Sequence, residues 1–394
     1  MKVYVNINTC EPIKNSTFVP VVGLSFFAVA SGYLMSLIPL SLSSFGLDES
    51  LVPWLASIFY FGLLIGATCI ESIVAKTGHR IAFILFLALL IATIVLMLCL
   101  PSTGTWLLAR FIAGFAVAGI FVVVESWLLM ADNAKQRAKR LGLYMTSLYG
   151  GSALGQLGIG PIGIDGVQPY LCVLGLLMLA ILPPLLIKSG QPRNEHNQKM
   201  KLSEIKKLSR PAILGCLVSG LLLGPIYGLM PVYITNQVGS PEQTGILMAT
   251  IILGGMLVQP LVSYLSPKMS KSLLMALFCL FGALSVLGIL ESHSFMVLTA
   301  SYLLLGACCF ALYPIAITLA CDAIQMEKIV SATEIMLLSY SVGSVLGPLL
   351  ATNLSDSPNA VIFYLGGCLI TTCLYMFIKS VEKIHTGQTP IPGA

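Results

Sequence analysis

The chain has 394 residues, 57% of them hydrophobic and only 9% charged, with a formal net charge of +5 and a mean hydropathy of +0.94. A soluble globular domain does not reach such values. The positive balance is therefore no nucleic-acid signal; it is what topological sorting across a membrane leaves behind.

Crossing the ~30 Å hydrocarbon layer takes about 20 helical residues. Twelve apolar stretches meet that length, near 17–41, 51–75, 81–100, 104–130, 141–163, 168–188, 211–235, 244–266, 272–291, 295–321, 331–353 and 358–380. Of the 21 Lys and Arg residues, 20 fall in alternate segments: before the first span, and after the second, fourth, sixth, eighth, tenth and twelfth. The segments 42–50, 101–103, 164–167, 236–243, 292–294 and 354–357 carry none. Cationic loops stay in the cytoplasm, so a multi-pass protein of a bacterial inner membrane is expected, with both termini cytoplasmic. The polar start MKVYVNINTCEPIKNSTF does not read as a cleavable signal, and Cys10 lacks the apolar core of a lipoprotein signal. The other ten cysteines lie in spans and read as small packing residues. Trp54 and Trp106, near outer ends, read as interfacial anchors.

The chain repeats itself after 192 residues. Thr146–Leu157, TSLYGGSALGQL, aligns with Leu338–Leu349, LSYSVGSVLGPL, and the same offset pairs Gly23 with Gly215, Gly32 with Gly224, Pro39 with Pro231, Lys76 with Lys268 and Gly114 with Gly306. An offset containing six spans gives both copies the same orientation, a parallel repeat about an axis along the membrane normal. The expected architecture is all-α: twelve transmembrane helices in two six-helix bundles, residues 1–188 and 211–394, joined by a cytoplasmic linker at 189–210. Gly151 and Gly155, and their copies Gly343 and Gly347, stand one turn apart, a spacing that lets helices approach closely. Pro348 follows the second pair. Helix packing is the first reading of these residues, and contact with a transported solute the second.

This organisation resembles the major facilitator superfamily over nearly the whole chain. Lys76, Gly78 and Arg80 sit where that superfamily carries a basic loop motif, although Ala75 replaces the motif's acidic residue. Arg110-x-x-x-Gly114 looks like a pattern of drug/proton antiporters. Gly343-x-x-x-Gly347-Pro348 is similar to another, found here in the eleventh span rather than the fifth. The stretches VVVESWLL, YGLMPVY and LLSYSVGSVLGP resemble the bacterial YcaD-like branch. The resemblance implies a secondary transporter working by alternating access.

Charges within the hydrocarbon layer cost roughly 2.5–3.5 kcal/mol each on the insertion scale, so they are candidates for function. Arg110 and Glu125 lie on the fourth span, ~22 Å apart along the helix and about 60° apart around it, so both can address one cavity at different depths. Glu125 and Glu334 are the candidate proton-coupling carboxyls; Glu125 can alternatively snorkel or pair with a nearby cation. Arg110 can hold an anionic group of a substrate or serve as a structural anchor. Tyr33, Tyr149, Tyr227, Tyr313 and Tyr340, with Gln156 and Gln259, supply polar groups for a cavity suited to a small amphiphile, or pack between helices. By the resemblance, Lys76, Gly78, Arg80, Asp132, Lys268 and Asp322 form a cytoplasmic charge gate, with Lys76 or Arg80 meeting Asp132 or Glu334 and Lys268 or Lys271 meeting Asp322. Solvated helix ends are the plainer alternative.

No phosphate-binding G-x-x-x-x-G-K-[ST] occurs, so an ion gradient is the expected energy source. The reading is a non-enzymatic transporter of a small organic solute, with no cofactor or metal, driven by the proton gradient in a lipid bilayer and expected to act as a monomer. Export by antiport is favoured, with proton-coupled uptake of a nutrient or iron chelate as the rival.

Overall fold

The computed structural model describes residues 17–129, 134–187, 209–292, 294–322, 329–353 and 357–385. The helices in chain order are α1 (Phe18–Leu40), α2 (Val52–Thr77), α3 (His79–Cys99), α4 (Thr103–Leu129), α5 (Ala134–Met145), α6 (Gly151–Leu157), α7 (Ile159–Ile162), α8 (Gln168–Leu186), α9 (Arg210–Gly228), α10 (Met230–Val238), α11 (Pro241–Leu265), α12 (Lys271–Glu291), α13 (Phe295–Cys321), α14 (Ile329–Asn353) and α15 (Ala360–His385). Eleven of the helical segments are long and apolar enough to cross a membrane. The fifth span is the twelfth crossing, assembled from pieces: α5 runs through a π-helical turn at Thr146–Gly150 into α6 without leaving right-handed helical geometry. It starts earlier than the apolar stretch because α5 is the basic segment AKQRAKRLGLYM. Long cationic side chains there can reach past the apolar layer to water.

The seventh span is divided at Leu229 between α9 and α10. Pro225 and Pro231 flank that residue, and proline offers no N–H to the helical ladder. Gly78 separates α2 from α3 with φ 80°, a conformation costly for any residue with a Cβ. Its turn is so tight that His79 is already the first residue of α3.

The repeat is visible contact by contact. Gly62 on α2 lies against the Phe111 carbonyl of α4, and Gly114 on α4 against the Phe59 carbonyl of α2. Gly254 meets Leu303 O and Gly306 meets Ile251 O, and each of these residues lies 192 positions on from its counterpart. Likewise Gly155 packs on Val29 O and Gly347 on Leu221 O, while Gly32 and Gly224 pack on Ser152 and Ser344. Apolar lipid supplies no hydrophobic drive between helices, so this backbone-to-backbone approach and the dispersion it allows hold the bundles. The twelve helices form two six-helix bundles.

The bundles meet through α2 on α14 and through the α6–α7 part of the fifth span on α11, with α1 reaching α9 and α10. They close at the end that carries the cation-free loops. There Gly228 abuts Ala56 with no room for a methyl group, and Gly160 packs on the side chain of Glu242.

Candidate functional site

At the centre, aromatic side chains from both bundles meet. Tyr149 from the π-turn stands edge-on to Phe310 of α13, ring centroids 5.6 Å apart at 81°. Tyr227 of α9 approaches the same ring at 5.8 Å and 88°. Tyr313 and Tyr340, from α13 and α14, lie 5.1 Å apart. Tyr149, Tyr227, Tyr313 and Tyr340 are each partly exposed, whereas Phe310 is buried beneath them. Four of the five tyrosines singled out in the sequence therefore come together.

The fifth does not. Tyr33 is 1% exposed and donates to Gly163 O at 2.5 Å within the first bundle. Gln156 is also spent on packing: it accepts from Ser36 Oγ at 2.6 Å and donates to Gly32 O at 2.5 Å. Gln259 donates to Gly255 O of its own helix at 3.0 Å and stays half-buried. Gly151, Gly155, Gly343 and Gly347 are packing glycines against α1 or α9, and Pro348 lies beside Gly224.

Glu125 is exposed although it sits inside α4. Tyr144 on its own bundle and Tyr313 on the other are its electrostatic neighbours. At the deeper end, the Arg110 guanidinium lies 4.2 Å from the centroid of the Phe59 ring, and its Nε is buried with no hydrogen-bond partner among the described residues. Tyr60 and Tyr170 are its electrostatic neighbours. Tyr60 in turn neighbours Tyr340, and Tyr340 neighbours Tyr313. A succession of phenols that crosses between the bundles thus runs from Arg110 to Glu125. Arg110 and Glu125 stand at the two ends of this succession.

Tyr60, Tyr144 and Phe310 belong to this site and were not singled out from the sequence. Nothing in the linear sequence marks Tyr60, because an isolated tyrosine in an apolar span reads equally well as packing.

The basic end differs from the expected charge gate. Arg80 donates from Nε to Pro184 O at 2.6 Å and from Nη2 to Leu185 O at 3.4 Å, so it caps the last carbonyls of α8. Lys76 is exposed. Lys268 lies over the Tyr264 ring, 3.3 Å from its centroid. Lys271 pairs with Asp322, one of the expected partners, but the pair joins α12 to α13 within one bundle. Asp132 and the side chain of Glu334 lie outside the described residues. His79, the first residue of α3, is 2% exposed; its Nε2 meets Ser126 Oγ at 3.1 Å and its ring stands edge-on to Trp127. Trp106 is fully buried rather than interfacial, donating to Met97 O at 3.1 Å, whereas Trp54 is 56% exposed as an anchor should be. Among the described residues no group of His, Cys, Asp and Glu is placed to hold a metal ion.

A sequence profile described as Major Facilitator Superfamily matches residues 21–348 and again 212–393. The chain is 30% identical over 374 residues to the uncharacterised MFS-type transporter YcaD of Salmonella arizonae, covering 94% of this chain and 96% of that one. The crystal structure of the nucleoside transporter NupG superposes with a TM-score of 0.75 at 12% identity, covering 91% of this chain and 98% of that one. A bacterial homologue of the human lysosomal transporter Spinster, in an inward-facing and unoccupied conformation, gives a TM-score of 0.69 at 13% identity over 93% and 95% of the two chains. With a repeated six-helix bundle and a family profile spanning both halves, this chain belongs to the Major Facilitator Superfamily.

Proposed function

We propose that this protein is a proton-coupled secondary transporter that exports a small organic solute through the cleft between its bundles, with Glu125 as the coupling carboxyl. One observation carries this reading: an exposed carboxylate inside a membrane span, within electrostatic reach of Tyr313 of the opposite bundle. A charge in that position is costly. It is tolerated when a cavity brings it water or when a proton neutralises it, and alternation between those conditions is what coupling requires. The bundles' closure at the cation-free end, together with the cytoplasmic preference of basic loops, supports a cleft that opens toward the cytoplasm in this conformation. Phenol hydroxyls and aromatic faces suit a small amphiphilic substrate. Lys76, Gly78, Arg80, Asp132 and Lys268 are proposed to set the opening of the basic end, with Glu334 as a second titratable carboxyl; the Lys271–Asp322 pair stays within one bundle.

The deciding experiment compares solutes inside and outside cells in which the gene is deleted or overproduced. A compound retained on deletion and expelled on overproduction identifies an exporter and its cargo together. The reverse distribution establishes uptake, and Glu125 then serves symport.

A further inference from the structure

The two bundles differ at one repeated place. In the first, Phe45, Trp106 and Tyr170 fill the end that carries the cation-free loops: Phe45 lies 5.4 Å from Trp106 and 5.6 Å from Tyr170 by ring centroids, and the Trp106 indole donates to Met97 O. In the second bundle the positions 192 residues on are Gln237, Leu298 and Ile362. Gln237 Nε2 donates to Ile289 O at 2.9 Å, the counterpart of Met97 O, while its Oε1 accepts from Tyr302 at 2.7 Å. A carboxamide has taken over the hydrogen bond of the missing indole, and smaller side chains stand at all three positions.

What remains is a cavity of about 550 Å³ at the ends of α10 and α12 and the starts of α11, α13 and α15, within the size range of small-molecule sites. Asn236, Gln243, Ser292 and Asn359 line it with polar groups, and Phe295 and Pro358 form apolar walls. None of its described lining residues is charged. Asn359 Oδ1 accepts from Tyr233 at 3.2 Å, but the carboxamides of Asn236 and Gln243 bond to nothing within the protein among the described residues. An amide offers donors and acceptors together, which matches hydroxyl and amide groups. The described lining has no cation to balance an anion and no carboxylate to balance an amine.

We propose that this cavity is a second binding site, separate from the cleft between the bundles, for an uncharged solute of about monosaccharide to nucleoside size that bears hydroxyl or amide groups. The proposal does not depend on the direction or coupling of transport.

The test is thermal unfolding of the purified full-length protein with millimolar N-acetylglucosamine or uridine, and with glucuronate as the charged control. The wild-type melting temperature should rise by roughly 2 °C when a neutral probe is about tenfold above its Kd, and glucuronate should leave it unchanged. Asn236→Leu with Gln243→Leu removes the free amides, and Gln237→Phe with Leu298→Trp rebuilds the plug of the first bundle; both double variants should lose the shift. If the plugged variant fails to fold, the amide variant decides. No shift with either neutral probe overturns the proposal. So does a shift that survives in the variants, because the probe is then bound in the central cleft.

Discussion

Tyr149 and Phe310 meet edge to face across the boundary between the bundles, 5.6 Å apart. Phe310 also supports Tyr227, 5.8 Å away in its own bundle, so one buried ring on α13 braces the fifth and seventh spans at once. One ring thus ties both bundles together in the present conformation, so a solute that engages these rings in one state differently from another would shift the equilibrium between them.

Phe310→Ala should destabilise the present conformation relative to its alternative by about 1–3 kcal/mol, since each aromatic pair is worth ~0.5–1.5 kcal/mol beyond its buried area. Thiol labelling at Ala56→Cys, where α2 abuts Gly228 at the closed end, should become several-fold faster. An unchanged labelling rate would show that the aromatic brace does not govern closure.

Glu125→Gln keeps the size and hydrogen-bonding capacity of the side chain while removing its titration. The variant should fold and equilibrate substrate but no longer respond to an imposed pH gradient in proteoliposomes. Accumulation against a gradient by this variant would place coupling at another residue.

Arg110→Lys should reduce transport at least ~10-fold with little change in melting temperature, because a compact ammonium does not reproduce the planar contact with Phe59 or the donor fork of a guanidinium. Full activity with lysine would reduce Arg110 to a generic positive charge.

Gly114→Ala and Gly306→Ala should each cost about 1–3 kcal/mol or more through overpacking, since a methyl group at either position meets the backbone of the neighbouring helix. Gly175→Ala, where nothing lies within 4 Å, is the control and should be neutral or slightly stabilising. Melting temperatures in detergent check all three, and equal behaviour of Gly114 and Gly306 is required by the repeat.

Asp322→Ala should cost less than ~1 kcal/mol, because its partner pair with Lys271 is a rim interaction with the aspartate 56% exposed. Both residues belong to one bundle, so conformational equilibria measured by labelling at the closed end should not move. A large change there would restore the pair to a role in gating.

The sequence alone determined the membrane setting, the repeat and most of the helix boundaries. These follow from one-dimensional quantities: apolar length against bilayer thickness, the alternation of Lys and Arg, and glycines recurring at one offset. Their contacts then followed almost residue for residue, because helices that pack backbone to backbone leave little freedom about where glycine must stand. Four of five candidate tyrosines also come together near the boundary between the bundles, since each bundle has to meet its partner.

Only the tertiary structure decided which polar groups were already spent. Tyr33 and Gln156 look like cleft residues in a linear reading, yet the carbonyls of Gly163 and Gly32 consume them. Arg80 looks like half of an ion pair, yet the end of α8 takes its guanidinium. Phe310 carries no polar signal at all and braces two spans. Hydrogen-bond partners more than 100 residues apart in the chain have no signature in local composition. For the same reason, only in three dimensions does Gln237 emerge as the replacement for Trp106, satisfying an equivalent carbonyl while leaving a cavity where the first bundle keeps a plug.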